Sequence, residues 1–508
     1  MSKKNDEVIW GISAGFHDAS LSVIYDGHIV FAGHSERYSG VKNDKFLNPA
    51  IVRDAELCQR WYHKPPAPDV VVYYENPFLN WTRRLYAGQR RGPSVYQHIR
   101  DLGLMKENMG IQYYEQKLVT VGHHESHAAA GFYTSPFEEA AIVVIDAIGE
   151  WDTTSVWIGK GNSMKKIWSA KYPNSMGLLY SAFTQRCGFK PNEEEHSLMA
   201  LSAYGVPKYS DAIKRDFIEL GEGPEYTLKQ NVHTGIGNWM PAADPTDLAA
   251  SIQKVLEEYL ERLFDWVEYT TKQQNLVYMG GVALNCVANS NVLLNGVFDD
   301  VWIMPNPGDA GSSLGAALAY LGEHVSWESP YLGAEPWGEI EDGYKEDSIR
   351  ELLAGNPIAW TWGRAEFGPR ALGNRSLLID PRFRTSRHKM NKIKQRQSFR
   401  PFAACVLEER ASEYFDMGKR TSLPYMQYAV KVKKPRELSA VVHIDNTCRV
   451  QTVTRDQNPH LADLLERWGE ATGCSVLLNT SLNTKGQPLI NNDDQAKAFA
   501  KEHGIRHY

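Results

Sequence analysis

No stretch of this 508-residue chain is apolar for long enough to span a bilayer as a helix. Its start, "MSKKNDEVIWGIS", has no signal-peptide hydrophobic region and moves from polar residues straight into a strand-like run. A cytoplasmic protein with no membrane segment is therefore expected. Cysteine is sparse: the six, at positions 58, 187, 286, 405, 448 and 474, lie far apart and form no CxxC. That excludes thiolate metal sites and fits a reducing compartment. Positive charge is not in excess either. With 55 Lys and Arg against 61 Asp and Glu, the net charge of −6 argues against broad nucleic-acid binding. What remains is a globular composition, 43% hydrophobic and 23% charged, in a chain too long for one core, so two or three domains are expected.

Within it, "GHHESHAAAG" (122–131) crowds three histidines and a glutamate ahead of small residues. Read as a helix, it places His123 and His127 at i and i+4 on one face, within reach of one metal ion. Taken alone, it reads more readily as a solvated histidine cluster near a helix start. An internal repeat surrounds it. Residues 8–33, "VIWGISAGFHDASLSVIYDGHIVFAG", and 142–168, "IVVIDAIGEWDTTSVWIGKGNSMKKIW", both read as strand, turn, strand, tight turn, strand, with Asp26-Gly27 as a hairpin signal. A shift of 134 positions sets Gly15 on Gly149, Asp18 on Asp152 and Ser20 on Thr154. Gly and Asp are common in turns, so two unrelated hairpins are the alternative. The matched order of three turn residues favours a duplicated α/β domain.

Two glycine-bearing segments follow. "NLVYMGGVALNCVAN" (275–289) reads as a buried strand, Gly280-Gly281, then a helix-like stretch that includes Asn285. "VWIMPNPGDAGSSLGAALAYLG" (301–322) reads as a strand, a loop and a helix beginning near Gly308, with Gly311 and Gly315 allowing close backbone approach. A helix N-terminus favours anions. Neither segment is a P-loop or a Rossmann turn, and both also fit glycines that only pack. Asp146, ending "AIVVID", and Asp309, at the start of the second helix, add two carboxylates to the two histidines. That donor set suits Fe(II), Mn(II) or Zn(II) better than Mg(II) alone.

Residues 323–356 are rich in Pro, Gly and acidic side chains and read as a connection. Beyond them "FGPRALGNRS" carries Arg370 and Arg375, "KIKQRQSFRPFA" carries Lys394, Arg396 and Arg400, and Arg449, Asn479 and Ser481 follow. The run 382–400 is basic with no acidic residue. Arginines bind phosphate bidentately, and Asn and Ser add neutral hydrogen bonds. Several of these arginines also fit a surface role; Arg370 and Arg375, beside glycines and apolar residues, fit it least. Residues 73–115 mix aromatics with arginines, which suits either a sugar or base with an anionic group or an ordinary amphipathic helix pair.

Together "GFHDAS", "HHESHAAAGFY", "VVIDAIGEWDTTS", "GGVALNC", "PNPGDAGSSLGAA", "FGPRALGNRS", "SFRPFA" and "LLNTSLN" resemble the O-carbamoyltransferases of nodulation-factor and antibiotic biosynthesis, in that family's order, from about residue 8 to about 490. The resemblance implies an α/β fold: a duplicated actin/sugar-kinase-like domain over 1–345 followed by a YrdC-like α/β domain over 346–508. It implies that carbamoyl phosphate yields carbamate in the second domain, and that ATP converts carbamate to carbamoyl adenylate for transfer to a hydroxyl. It implies His123, His127, Asp146 and Asp309 as ligands of a divalent metal, Fe(II) first, with Mn(II) or Mg(II) as alternatives. Gly280, Gly281, Asn285 and Gly311 fall in its nucleotide-contacting turns. His17 falls beside the carbamoyl group as a catalytic residue. Arg370, Arg375, Lys394, Arg400, Arg449, Asn479 and Ser481 fall in the carbamoyl-phosphate pocket, with Arg370 and Arg375 as catalytic residues. Before "LMALSAYG" the family often has a glycine and a lysine, where this chain has His196 and Ser197. The expected partner is a small-molecule hydroxyl acceptor, sugar or nucleoside-like, with no membrane and no nucleic acid, and with a homodimer left open. The competing readings are a sugar-kinase-like ATP phosphotransferase and a nucleotide- or RNA-binding relative of tRNA-modifying enzymes.

Overall fold

The computed structural model describes residues 6–61, 67–88, 117–335 and 343–508. The first repeat unit forms an antiparallel meander of β1 (Ile9–Ser13), β2 (Ser20–Tyr25) and β3 (His28–His34). Asp26 and Gly27 both take positive φ, 48° and 71°, as a two-residue type I′ hairpin turn requires. Helix α1 (Pro49–Trp61) crosses over to β4 (Val70–Tyr73), and α2 (Pro77–Tyr86) precedes β5 (Lys117–Thr120). Both later strands run parallel to β1, giving the order β3-β2-β1-β4-β5.

The second unit repeats this plan. After helix α3 (His123–Phe132), strands β6 (Glu139–Gly149), β7 (Asp152–Lys160) and β8 (Ser163–Lys171) form the meander. A helical excursion follows, with α4 (Glu195–Ser202), the ribbon β9 (Ile218–Leu220) and β10 (Tyr226–Leu228), and the long α5 (Pro245–Thr271). Strands β11 (Asn275–Met279) and β12 (Asp300–Trp302) then add parallel to β6, in the order β12-β11-β6-β7-β8. Strand order and directions match those of the first sheet, as duplication predicts. The central parallel strands, such as "VVVY" and "LVYM", are continuous apolar runs because both sheet faces are covered.

Helices α3 and α6 (Ser312–Leu321) lie between the two sheets. The small residues Ala128, Ala129, Ala130 and Ala316, Ala317 are fully buried there, in one apolar cluster with Ile9 and Val277. The crossing is close: a Cβ on Gly315 would stand 1.8 Å from the Ser126 carbonyl oxygen. The histidine stretch ends in small residues because its helix is threaded through the centre of the molecule.

The third sheet comprises β13 (Ile358–Thr361), β14 (Arg375–Ile379), β15 (Ala403–Leu407), β16 (Ala429–Lys431), β17 (Thr447–Val453), β18 (Val476–Ser481) and β19 (Arg506–His507). It is mixed, in the order β16-β17-β15-β18-β14-β13-β19. Buried Arg37 fastens this part to the first sheet, donating to the carbonyls of Glu366 (2.5 Å) and Gly368 (2.7 Å). Arg364 reciprocates, donating to the Val30 carbonyl at 2.9 Å.

Gly315→Ala should cost about 1–3 kcal/mol of stability through overpacking against backbone. A urea titration would show this as a lower midpoint, and an unchanged midpoint would contradict the close crossing of α3 and α6.

Candidate active site: a four-donor cluster and an arginine pocket

The register of β6 against β7 slips between Ile145 and Gly149, and Asp146 sits in that irregularity, after the buried run 140–145 and three residues before the strand ends. A bulge of this kind re-aims side chains at a sheet's edge. Asp309 opens the 3₁₀ turn Asp309–Gly311 ahead of α6. His123 and His127 enter from the first turns of α3, so the four residues come from three separate elements. The His123 Nε2 lies 3.2 Å from Asp146 Oδ2 and 3.5 Å from Asp309 Oδ1; the His127 Nε2 lies 3.3 Å from Asp309 Oδ1 and 3.2 Å from the His123 Nε2. One donor atom from each residue falls within 4.8 Å of every other. Gly149, the repeat's matched glycine, makes room for this, since a Cβ there would stand 2.4 Å from His123 Cδ2.

The cluster carries two carboxylates in a buried setting. Burial opposes a charge on His123, yet Asp309, Asp146 and Glu75 outweigh it and raise its pKa well above the usual imidazole value. Burial likewise opposes charge on Asp309, but His123, His127 and His17 hold its pKa well below the carboxylate range. Protons on imidazole thus balance the charge that a divalent cation would balance. Two imidazoles and two carboxylates, converging with no Lys or Arg in an ion pair with either acid among the described residues, fit such an ion. Glu75, not singled out in the sequence, stands behind the cluster with Oε2 4.0 Å from His123 Nδ1. It is steadied by Asn80 Nδ2 at 2.9 Å from both its oxygens. A carboxylate behind a ligating histidine orients the ring. Glu75 follows β4 much as Asp146 follows the apolar run of β6, and that position after an apolar run is the signal that finds it.

His17 stands at the open side, 42% exposed, with Nδ1 3.0 Å from Asp18 Oδ2 and Nε2 3.6 Å from Asp309 Oδ2. Burial opposes its charge, but the Asp18 hydrogen bond and the charges of Asp309, Asp18 and Asp146 push it up to about 9. Beside it, the Arg84 guanidinium lies 5.0 Å over the Phe16 ring. Of the aromatic and arginine stretch 73–115, residues 89–115 fall outside the described residues.

The glycine turns divide. Gly281 N–H points at Asp146 Oδ1, 3.4 Å away, so Gly280-Gly281 borders the cluster. Asn285 is spent on the protein: its Oδ1 caps Ala288 N–H at 3.0 Å and its Nδ2 donates to Gln253 Oε1 at 2.9 Å. Gly311 packs internally, where a Cβ would stand 1.9 Å from the Asn306 carbonyl oxygen.

A second centre lies where the third sheet meets α4 and α5. A cavity of about 280 Å³ is lined by Arg370, Arg396, Arg400 and Arg449 together with His196 and Cys286. Among the described residues none of the four guanidinium groups is in an ion pair. Burial first, then the charge of Arg449, pushes Arg370 down to about 9 and Arg400 to about 10. Four mutually repelling cations held around one cavity suit an anion.

Four expected members of that site do not line the cavity. Arg375 is a correction. Fully buried, it donates to the carbonyls of Asn491 (2.9 Å), Gly363 (3.0 Å), Asn374 (2.7 Å) and Ala334 (3.0 Å), so its fork binds backbone and not phosphate. Lys394 and Ser481, expected in the same pocket, are bonded to each other. The Lys394 ammonium donates to the Ser481 carbonyl (2.6 Å), to Ser481 Oγ (3.0 Å) and to the Asn483 carbonyl (2.6 Å), and neither residue lines the cavity. Asn479 Nδ2 donates to Gln451 Oε1 at 2.8 Å and likewise does not line it.

A duplicated α/β fold carrying a four-donor cluster and a separate anion pocket has the parts of a group-transfer enzyme. The family models for the carbamoyltransferase N-terminus and C-terminus match residues 95–318 and 349–508. An uncharacterized protein of Synechocystis sp. is 35% identical, with 95% of this chain and 92% of that protein covered. Nodulation protein NolNO of Sinorhizobium fredii is 31% identical, over 93% of this chain and 75% of its own. The 3'-hydroxymethylcephem-O-carbamoyltransferase of Amycolatopsis lactamdurans is 28% identical, over 96% and 95%. The chain belongs to the carbamoyltransferase family.

Two outcomes follow from the site. His127→Ala should purify folded but with much less bound divalent metal than wild type, by elemental analysis; equal content would place the ion elsewhere. Arg375→Ala should lower the melting temperature or the soluble yield sharply, because each orphaned carbonyl costs about 1–3 kcal/mol. Arg449→Ala, which relieves repulsion, should melt at or above the wild-type temperature, and the reverse order would contradict these roles.

Proposed function

We propose that this protein is an ATP-dependent O-carbamoyltransferase acting on a hydroxyl of a small molecule, sugar or nucleoside-like. The observation that carries the reading is the pairing of four guanidinium groups, free of ion pairs, in one cavity with a distinct cluster of two histidines and two aspartates. One phosphate-bearing substrate has no use for both. The centres are close: Gly281 borders the cluster and Cys286 lines the arginine cavity, five residues apart and so no more than ~18 Å even if extended.

In this reading the first two sheets form an actin/sugar-kinase-like domain over residues 1–345, and the third belongs to a YrdC-like domain over 346–508. Arg370, Arg396, Arg400 and Arg449 hold carbamoyl phosphate. Water cleaves its bond between the carbamoyl carbon and the bridging oxygen, releasing phosphate and carbamate. Carbamate decomposes readily in water, so a short path between sites limits its loss. Its oxygen then attacks the α-phosphorus of ATP, giving carbamoyl adenylate and pyrophosphate. The acceptor hydroxyl attacks the carbamoyl carbon and AMP leaves. His123, His127, Asp146 and Asp309 would hold a divalent ion, Fe(II), Mn(II) or Mg(II), which neutralises phosphate charge. His17 takes the hydroxyl proton, and Asp18, bonded to its Nδ1, fixes the ring's tautomer. Of the carboxylates that raise the His17 pKa, Asp309 and Asp146 are ones such an ion would neutralise, and Asp18 is not.

With carbamoyl phosphate and ATP supplied together, the nucleotide products should be AMP and pyrophosphate. Formation of ADP would falsify this mechanism and favour a kinase-like phosphotransferase. His17→Ala should slow transfer by roughly 10²–10⁴-fold, the usual contribution of a positioned acid–base group, while phosphate release from carbamoyl phosphate stays near wild type.

A further inference from the structure

The arginine cavity has a chemical gap. Arg370, Arg396, Arg400 and Arg449 can only donate hydrogen bonds. They suit phosphate and carbonyl oxygens and offer nothing to an amide N–H. A carbamoyl group differs from an acetyl group by that amide alone, so a pocket of guanidinium groups cannot tell the two phosphates apart. Some other lining group has to accept.

Several side-chain acceptors around the cavity are already engaged, although Glu257 Oε2 and Asp445 Oδ2 accept no hydrogen bond among the described residues. Glu257 Oε1 accepts from Gln253 Nε2 (2.9 Å) and Asn291 Nδ2 (3.0 Å). Gln253 Oε1 accepts from the Tyr180 hydroxyl (2.8 Å) and Asn285 Nδ2 (2.9 Å). Asp445 Oδ1 accepts from Thr447 N–H (2.9 Å) and Oγ1 (2.7 Å). His196, on the first turn of α4, lines the same cavity and has no hydrogen-bond partner among the described residues. Burial and the positive charges of Arg400, Arg370, Arg449 and Arg396 hold its pKa well below the ordinary imidazole value. At neutral pH it is therefore an uncharged ring with one nitrogen lone pair, set among the four cations. His443 also lines the cavity, with its Nδ1 3.7 Å from Asp445 Oδ1, and the charges that act on it are those of Asp445 and Arg387.

We propose that His196 is the specificity-determining residue of the arginine pocket, accepting a hydrogen bond from the carbamoyl N–H and thereby selecting carbamoyl phosphate over acetyl phosphate. This rests on the reading that the pocket takes carbamoyl phosphate.

The test is phosphate release by the full-length protein from carbamoyl phosphate and from acetyl phosphate, compared as kcat/KM. Wild type should prefer carbamoyl phosphate by about 10²-fold or more, since a site built to bond a substrate N–H rejects the analogue that lacks it. His196→Leu and His196→Ala, which remove the acceptor, should bring the two substrates near parity, chiefly by loss on carbamoyl phosphate. Inhibition by inorganic phosphate, which has no amide, should not change. His196→Asn, which returns a carbonyl acceptor, should restore part of the preference. Retention of the wild-type ratio in His196→Leu or His196→Ala overturns the proposal, as does equal turnover of both phosphates by wild type. Arg449→Ala separates this from the site reading: if it turns over carbamoyl phosphate as wild type does, the pocket itself is misassigned, whatever the His196 variants show.

Discussion

Two carboxylates, Asp146 and Asp309, converge on one pair of imidazoles in the interior, and their buried negative charge is the constraint around which the rest of the structure is arranged. Charge so placed is tolerated only with compensation. The strand irregularity after Ile145 delivers one carboxylate, the turn before α6 delivers the other, and α3 delivers both rings. For α3 to reach that point it must pass between the two sheets against α6, which explains its run of alanines and the bare Cα of Gly315. The small residues are thus a consequence of where the charge is held.

The arginine cavity poses the opposite problem. Four cations share it without a paired acid among the described residues, and burial makes Arg370, Arg396 and Arg400 costlier to keep charged. An anion stabilises this arrangement as a cation stabilises the other. The protein carries two electrostatically incomplete centres of opposite sign, joined by the short segment from Gly281 to Cys286. A bound ion of the opposite sign would complete each centre.

Much of this was legible in the sequence where a residue's role is fixed by local geometry. The hairpin turn at Asp26-Gly27, the 134-residue repeat and the i, i+4 histidines all depend on near neighbours, and the two matching sheets and the cluster appear where those patterns place them. The arginines were only half legible. Sequence shows that a guanidinium is present, not what it meets. Arg370, Arg400 and Arg449 line a cavity, whereas Arg375 meets five backbone carbonyls and Lys394 meets the Ser481 and Asn483 segment, contacts made largely by segments distant in the chain. Glu75 and His196 were obscure for the same reason, since each matters through a neighbour from another element.

The claim on which the account turns is that His123, His127, Asp146 and Asp309 together hold one divalent ion. Anomalous diffraction from crystals of the full chain grown with Mn(II) tests it most directly. The account predicts a single strong peak bonded to donors from all four residues at about 2.0–2.2 Å, the range for nitrogen and carboxylate ligands of a first-row ion. A peak bound elsewhere, or saturating Mn(II) with no peak among these four side chains, would contradict it.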